Sequence, residues 1–276
     1  MADPMVAGHD CLIASRAGLF AGRRDGIKRV LWGFFFGVTR HEDTIYLFEA
    51  CDHPAGSSRK GRIVRFCLRE GRLTDFAILA EGLDNGCHQI EIIDGLLCVV
   101  DTARQSIVRL RLDGTQVDIR QPIGGPGPGG SAYRHINSIA KVGEHVALML
   151  HNGTVVPEEP SELAWLDSDW NLISRQPLRG RHCHDILPMP DGTTWHCGSS
   201  AGEIINASGA RIKISDRMTR GLIAVSGGFI VGTSLLGPRS DRDILSGSII
   251  YLDQSFRRLV DVECPGAPTD LLALDA

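Results

Sequence analysis

The stretch that decides the fold runs from His88 to Pro122 and reads HQIEIIDGLLCVVDTARQSIVRLRLDGTQVDIRQP. It divides into four short apolar segments, and Asp-Gly pairs stand in two of the connections between them. Asp-Gly is a hairpin signal because glycine tolerates a positive φ. The stretch therefore predicts four short antiparallel strands that follow one another along the chain.

The same four-strand pattern recurs along the sequence. Complete copies begin near Phe35, His88, His135, His184 and Gly221. No long segment keeps the 3.6-residue apolar period that is typical of a helix. Four-stranded antiparallel units repeated every 40 to 50 residues, roughly, are typical of a β-propeller. The repeats therefore predict five complete blades.

The two ends of the chain together predict a sixth blade. The segments DCLIASR, GLFAGRR and IKRVLW resemble the second to fourth strands of a unit, and PTDLLALDA resembles a first strand. Pairing these ends would remove two exposed strand edges at once. We predict an all-β, six-bladed β-propeller, closed by pairing of the C-terminal strand with the N-terminal strands. A single domain spans residues 1–276, with residues 1–4 before a natural start at Met5; the alternative fold is a β-sandwich or solenoid.

Composition narrows the function classes. Hydrophobic residues make up 43% of the chain, enough to bury a sizeable core, and the net charge of −4 argues against a nucleic-acid partner. No apolar run reaches the roughly 18 residues of a membrane span, and no signal peptide is recognisable. The eight cysteines contain no CxxC pair and several lie in apolar strands, which indicates reduced thiols. We predict a cytoplasmic protein without nucleic-acid or membrane partners, and the oligomeric state stays open.

Three of the ten histidines fall at the same point of the repeat. His88, His135 and His184 stand at the starts of three consecutive first strands, 47 and 49 residues apart. First strands line the central channel of such propellers, so the three side chains would meet at the channel mouth. Neutral imidazoles suit Zn, Fe(II), Cu, Ni or Mn and leave coordination positions for water and substrate. The spacing predicts one divalent transition metal of open identity; individually hydrogen-bonded channel-lining histidines are the alternative.

Further candidates accompany this trio. Arg220 and Asp270 stand near the matching positions of other blades, where they would orient a substrate anion and transfer a proton. Tyr133 precedes the second histidine and is a further catalytic candidate. His151, at the end of a second strand, is a general base or a fourth ligand. His182 could also serve as an additional ligand or replace His184.

The Gly/Pro-rich segment from Ile123 to Ala132, IGGPGPGGSA, has no strand character. We predict that it is a mobile loop that gates the channel. It is not a phosphate-binding loop, because it lacks the Lys-Ser/Thr ending and a following helix. The inserts NGTVVPEEPSE and LLGPRSDRDILSG would lie on the same face and contact substrate.

With these features the whole chain resembles six-bladed propellers of the NHL/YncE/SMP-30 type. Its histidine trio resembles the zinc site of the peptidylglycine amidating lyases. That resemblance implies a ligand role for the trio and a catalytic pair of Tyr133 and Arg220. Carotenoid-cleaving oxygenases, with iron held by four His, and virginiamycin-B-type lyases resemble it too. The SMP-30 lactonases use carboxylates and Asn around calcium, which this chain replaces largely by His, so a calcium lactonase is disfavoured.

The sequence thus predicts a metal-dependent lyase or hydrolase that acts on a small polar molecule at the central channel. Oxygen chemistry at Fe(II) is open with the same ligands. The alternative from another class is a non-catalytic propeller that serves as a platform for a protein or ligand. A platform would tolerate chelation and replacement of the histidines, whereas the enzyme would not.

Overall fold

The computed structural model describes residues 4–52, 58–124, 132–155, 158–235 and 245–274. The chain divides into two compact units, residues 1–85 with 220–276, and residues 86–219. Each unit contains three four-stranded antiparallel sheets, and every strand of the described ranges belongs to one of them. This is the six-bladed β-propeller predicted from the repeats. The single domain over residues 1–276 stays a prediction.

The first unit contains the blade that joins the two ends of the chain. Its strands are β1 (Cys11–Ser15), β2 (Gly18–Arg23), β3 (Gly26–Leu31), β4 (Phe35–His41), β5 (Thr44–Ala50), β6 (Gly61–Arg69), β7 (Arg72–Leu83), β20 (Met218–Val225, which starts two residues before the unit), β21 (Gly228–Ser234), β22 (Gly247–Asp253), β23 (Arg258–Cys264) and β24 (Pro268–Ala273). The sheets have the orders β24-β1-β2-β3, β4-β5-β6-β7 and β20-β21-β22-β23. In the first of them Cys11 lies opposite Ala273 and Ile13 opposite Leu271, which confirms the predicted closure.

The second unit contains three blades that are each continuous in sequence. Its strands are β8 (Ile90–Ile93), β9 (Leu96–Asp101), β10 (Ser106–Leu110), β11 (Gln116–Arg120), β12 (Ile136–Val142), β13 (His145–Leu150), β14 (Glu162–Leu166), β15 (Leu172–Pro177), β16 (His184–Pro188), β17 (Thr194–Gly198), β18 (Glu203–Asn206) and β19 (Arg211–Lys213). A 3-10 helix, Ser199–Ala201, connects β17 to β18. Each sheet follows chain order, as the stretch from His88 to Pro122 predicted.

Burial explains the strand pattern. The inner strand β9 has every residue but its first buried, while the outermost strand β15 is almost wholly exposed. An inner strand covered on both faces reads as a continuous apolar run, and an outer strand does not. The β8–β9 turn places Asp94 at φ 49° and Gly95 at φ 75°. Positive φ at both central residues is the conformation that Asp-Gly favours in hairpins.

All eight cysteines are free, and six of them are buried. In the ranges that the structure describes, no helix has the length and apolar character needed to cross a membrane.

Candidate active site

The three in-phase histidines lie at or just before the first strands of the second unit. His184 is the first residue of β16, His135 immediately precedes β12, and His88 lies two residues before β8. The β12 and β16 strands carry register irregularities in their first residues. Such bulges re-aim side chains and are frequent next to active sites. The irregularity in β16 begins at His184, and that in β12 begins one residue after His135.

Side chains next to the histidines connect the three first strands. The Ile139 backbone N–H of β12 donates to Gln89 Oε1, which precedes β8, at 2.8 Å. The Asp185 backbone N–H of β16 donates to Ser138 Oγ of β12 at 2.9 Å. Hydrogen bonds of this kind between buried groups hold neighbouring strands at a constant offset. The positions of the three histidines are thereby set relative to one another.

Five histidine rings form a contiguous cluster in this unit. The ring centroids of His88 and His135 are 4.9 Å apart, and those of His135 and His151 are 4.7 Å apart. The His151 ring lies 5.3 Å from that of His184 and is stacked at 4.7 Å on His182. The structure thus brings the predicted trio together with both additional candidates. We call these five residues the histidine cluster.

The outer nitrogen of His88 faces a backbone carbonyl. His88 Nδ1 lies 2.8 Å from the Gly86 carbonyl oxygen and 3.0 Å from Thr102 Oγ1. A carbonyl oxygen can only accept, so the neutral ring carries its proton on Nδ1. The lone pair is then on Nε2. This is the tautomer of a histidine that binds a metal through Nε2.

His184 has the same arrangement. Its Nδ1 lies 2.9 Å from the His182 carbonyl oxygen and 2.9 Å from Ser199 Oγ. The carbonyl again places the proton on Nδ1 and the lone pair on Nε2. The side chain is only 7% exposed, so its orientation is held by packing as well. Two members of the trio therefore have the same tautomer for the same reason.

His151 has the opposite tautomer. The Gly153 backbone N–H donates to His151 Nδ1 at 3.1 Å, so this nitrogen accepts and Nε2 carries the proton. Ser161 Oγ donates to the His151 carbonyl at 2.9 Å and accepts the Cys183 N–H at 3.0 Å. Ser161 is fully buried and connects the backbone at His151 to the residue before His184. The neutral form of His151 therefore carries its proton on Nε2, and its role as a general base or a fourth ligand stays a prediction.

His182 is turned toward a carboxylate. Its Nε2 lies 3.0 Å from Glu158 Oε1, and Arg181 Nη1 lies 3.1 Å from the same oxygen. A carboxylate accepts hydrogen bonds, so Nε2 of His182 carries a proton. That arrangement favours a supporting contact with His151 over a metal-ligand role for His182.

Tyr133 and His135 form the remaining edge of the cluster. The Tyr133 hydroxyl lies 3.3 Å from His135 Nδ1, and either group can be the donor. Gln105 holds the adjacent chain: its Oε1 accepts the Arg134 N–H and its Nε2 donates to the Ala132 carbonyl at 3.2 Å. Gln105 is 1% exposed. Sequence reasoning missed Gln105 and Ser161, because nothing in their local sequence indicates which distant backbone groups they bind.

Left-handed backbone conformations concentrate around the cluster. Positive φ values occur at Gln105 (52°), His135 (55°), Asn152 (57°), His182 (54°) and Asp185 (60°). A residue with a side chain adopts this region at a cost, and such residues gather at functional sites. The surrounding hydrogen bonds hold these five conformations in place. Their concentration supports a functional role for this part of the unit.

The thiols and the remaining buried histidine next to the cluster stay neutral. Burial raises the pKa of Cys183 to about 12 and raises that of Cys197 well above its ordinary value. Burial also lowers the pKa of His196 to about 4. A neutral thiol is neither a nucleophile nor a good metal ligand. The chemistry of the cluster therefore depends on imidazoles and Tyr133.

Arg220 and Asp270 belong to the first unit. Arg220 Nε donates to the Thr269 carbonyl at 3.1 Å. The Asp270 carboxylate accepts the backbone N–H groups of Val38 and Leu271, each at 3.0 Å. Both side chains thus contribute to the backbone hydrogen bonding of their own unit. Their roles toward a substrate stay predictions.

The proposed gating loop lies largely outside the described residues, which omit 125–131. The two predicted recognition inserts are interrupted in the same way, at 156–157 and 236–244. The structure therefore leaves the loop predictions as they stand. The described flanks end at Gly124 and resume at Ala132, and Gln105 Nε2 donates to the carbonyls of both.

The fit of a metal can be examined from the ring spacing. With metal–nitrogen distances of about 2.1 Å, two adjacent imidazoles on one ion have centroids roughly 4.5–5.3 Å apart. The observed separation of 4.9 Å between the ring centroids of His88 and His135 lies in that range. Within the described ranges, however, no group of three or more His, Cys, Asp or Glu side chains meets the geometry of a metal site.

Comparison with known proteins identifies the fold of this chain but assigns it to no family. No protein-family model matches the chain, and no curated protein matches it. Among solved structures, a chain of a nidogen/laminin complex aligns with a TM-score of 0.65 at 10% identity over 96% of this chain and 97% of that one. A protein provisionally named a gluconolactonase aligns with a TM-score of 0.61 at 11% identity, over 97% and 86%. Virginiamycin B lyase from Staphylococcus aureus aligns with a TM-score of 0.52 at 14% identity, over 82% and 69%.

Proposed function

We propose that the histidine cluster is the active site of a lyase or hydrolase that acts on a small polar molecule. In this proposal His88, His135 and His184 bind one divalent transition metal ion through Nε2. The observation that carries it is the shared tautomer of His88 and His184, whose Nδ1 atoms each face a backbone carbonyl. Metal-binding histidines characteristically donate their other N–H in this way.

The third ligand nitrogen must move when the ion binds. In this proposal His135 rotates toward His88 and His184 when the ion binds. Its Nδ1 contact with the Tyr133 hydroxyl is 3.3 Å long, the longest of the three Nδ1 contacts. A weak contact is the one most readily exchanged. His135 is therefore the side chain that we expect to adjust.

The other residues of the cluster supply proton transfer and orientation. A bound divalent ion would act as a Lewis acid toward a substrate oxygen or lower the pKa of water. His151 offers its Nε2 proton to a leaving group or developing anion, and stacking on His182 holds its ring. The Tyr133 hydroxyl is a second donor. Arg220 and Asp270 are retained as candidates for substrate orientation and proton transfer.

Distant neighbours support the reaction class without deciding it. Their names include a lyase and a gluconolactonase, which break bonds by elimination and by hydrolysis respectively. Identities of 14% and 11% carry no residue-level information. The substrate, the ion and the choice among elimination, hydrolysis and Fe(II) oxygen chemistry therefore stay open within the proposal.

A second candidate is a non-catalytic propeller that binds a protein or ligand. One observation favours it, since no described group of side chains meets metal-site geometry. A neighbour of the same fold comes from a nidogen/laminin complex, which is a protein–protein assembly. In this case the histidine cluster would supply polar contacts to a partner. Neither the unsubstituted protein nor any single-histidine variant would then bind a metal ion detectably.

Metal titration separates the two functions. We expect metal-free protein to bind one equivalent of Co²⁺, with visible absorption that reports nitrogen ligands. His88→Ala, His135→Ala and His184→Ala should each weaken binding by more than about 100-fold, because even outer-shell partners of metal ligands are worth 10–100-fold. His145→Ala is the matched control, since His145 is exposed and begins β13 of the same unit. Substoichiometric binding, or equal binding by all four variants, would reject the metal site.

The tautomers can be measured without metal or substrate. Long-range ¹H–¹⁵N spectra should show His88 and His184 protonated at Nδ1 and His151 protonated at Nε2. Addition of Zn²⁺ should shift the Nε2 resonances of His88 and His184 and retain the His151 proton. An Nε2–H tautomer at His184 in the metal-free protein would remove the observation on which the proposal depends.

A further inference from the structure

A cavity of about 340 Å³ lies in the second unit beside the histidine cluster. Its wall is formed by the connection from β15 to β16 and by the residues around the 3-10 helix. Ser200 lines the cavity, and the preceding residue, Ser199, places its Oγ 2.9 Å from His184 Nδ1. Consecutive residues of the 3-10 helix thus line the cavity and contact His184. The volume of the cavity is that of a small-molecule site.

Three arginines line this cavity, and two of them are paired with carboxylates. Arg211 donates from Nε and Nη2 to Glu203 Oε2, at 2.8 and 2.6 Å. Arg181 Nη1 lies 3.1 Å from Glu158 Oε1. The third, Arg179, has no carboxylate partner among the residues that the structure describes. The cavity thus contains one uncompensated cation in a protein whose net charge is −4.

Arg179 is held in place despite lacking a charge partner. Its backbone carbonyl accepts a hydrogen bond from Arg211 Nη1 at 3.0 Å. Its side chain packs over Gly209, where an added Cβ would lie 3.1 Å from Arg179 Cδ and Nε and 3.3 Å from Cζ. Gly209 also has φ +96°, so that position requires glycine. The Arg179 side chain is exposed and lies over Gly209, so its guanidinium is accessible to a ligand in the cavity.

We propose that this cavity binds the oxyanion group of a small organic anion, a carboxylate or phosphate, with Arg179 as the principal cation. A guanidinium recognises both groups through two parallel N–H donors. Leu178, Ala201 and Pro160 line the same cavity and contact the hydrocarbon part of the ligand. The site is distinct from the proposed metal site and does not depend on it.

Simple probes in metal-free protein test this proposal. Pentanoate and butyl phosphate carry the same butyl chain, so comparing them distinguishes carboxylate from phosphate binding. Inorganic phosphate lacks the hydrocarbon chain, and pentanamide lacks the negative charge. We expect pentanoate or butyl phosphate to saturate one site and to shift the Nε resonance of Arg179. Arg179→Ala should weaken that binding at least about tenfold, because a charge-assisted contact is lost. Arg111→Ala is the matched control, an exposed arginine of the same unit.

Three results would overturn the proposal. The first is that neither organic anion shows saturable binding. The second is that pentanamide binds as tightly as pentanoate. The third is that the Arg179→Ala variant binds the anion as tightly as the Arg111→Ala variant. Thermal unfolding of the two variants checks that both are folded, as expected for exposed side chains. Stronger binding of inorganic phosphate than of butyl phosphate would contradict the proposed contact between the apolar residues of the cavity and the hydrocarbon part of the ligand. All of these measurements are made without metal, so their failure leaves the metal proposal unaffected.

Discussion

The two units contain the same three-sheet arrangement but use the beginnings of their first strands differently. In the first unit, Asp270 accepts the backbone N–H of Val38 and Thr269 Oγ1 donates to the Phe35 carbonyl. These polar side chains join strand β24 to strand β4. In the second unit Gln89, which follows His88, accepts the N–H of Ile139, and Ser138 accepts the N–H of Asp185, which follows His184.

This difference concerns which residue at the beginning of a first strand makes the bond to the neighbouring strand. A side chain that bonds the backbone of a neighbouring strand contributes to the stability of the fold. Where such a bond is made by the next residue, the histidine is not needed for it, and its Nδ1 contact with a carbonyl sets its tautomer. A polar residue at a strand start therefore indicates a site only when another residue makes the inter-strand bond.

The largest expected effect comes from removing the strand that closes the first unit. Deleting the chain from Pro268 onward removes β24, whose residues are buried apart from one, and exposes an edge of β1. Open edges and lost apolar burial should abolish cooperative thermal unfolding. Deletion of residues 275–276 alone is the control and should leave the melting temperature unchanged. A truncated protein that melts like the full chain would show that closure contributes nothing.

A smaller effect is expected in acid, and it originates in the second unit. Burial lowers the pKa of His196 to about 4, against about 6.5 in the unfolded chain. Between these values only the unfolded state binds the proton, so the folding free energy contributed by neutral His196 is lost as pH falls from 6.5 toward 4. The difference corresponds to at most about 3 kcal/mol.

Chemical denaturation at several pH values measures this loss. His196→Gln should flatten the pH dependence of unfolding free energy between about pH 6.5 and 4. His145→Gln, an exchange of an exposed histidine in the same unit, should keep it. An identical slope in both variants would place the acid sensitivity elsewhere.

The smallest expected effect tests the comparison itself. Asp270→Asn removes the charge from a carboxylate that accepts two backbone N–H groups, and should cost about 1–2 kcal/mol of unfolding free energy. A structural role predicts unchanged Co²⁺ affinity. If the variant keeps its melting temperature, Asp270 contributes no measurable stability to its unit and the comparison fails.

Much of the fold was predictable because its signals are local. Asp-Gly turns, short apolar segments and the regular recurrence of the unit predict four-stranded blades, and DCLIASR and PTDLLALDA predict the closure that pairs Cys11 with Ala273. The in-phase spacing of His88, His135 and His184 is likewise enough to select these three histidines from the ten in the chain. Periodicity carries this information because the side-chain alternation of strands and the length of a blade are properties of the backbone.

What the sequence by itself determined is therefore the blade repeat and its closure, while the choice of three histidines stays a prediction. Tertiary structure decided the protonation pattern, through the carbonyls of Gly86 and His182 and the N–H of Gly153. It also decided that Arg179 is the arginine of the cavity without a described carboxylate partner. Tautomer and charge pairing depend on which groups lie within about 3 Å, and residues distant in sequence, such as Ser199 and His184, come that close only in the folded chain.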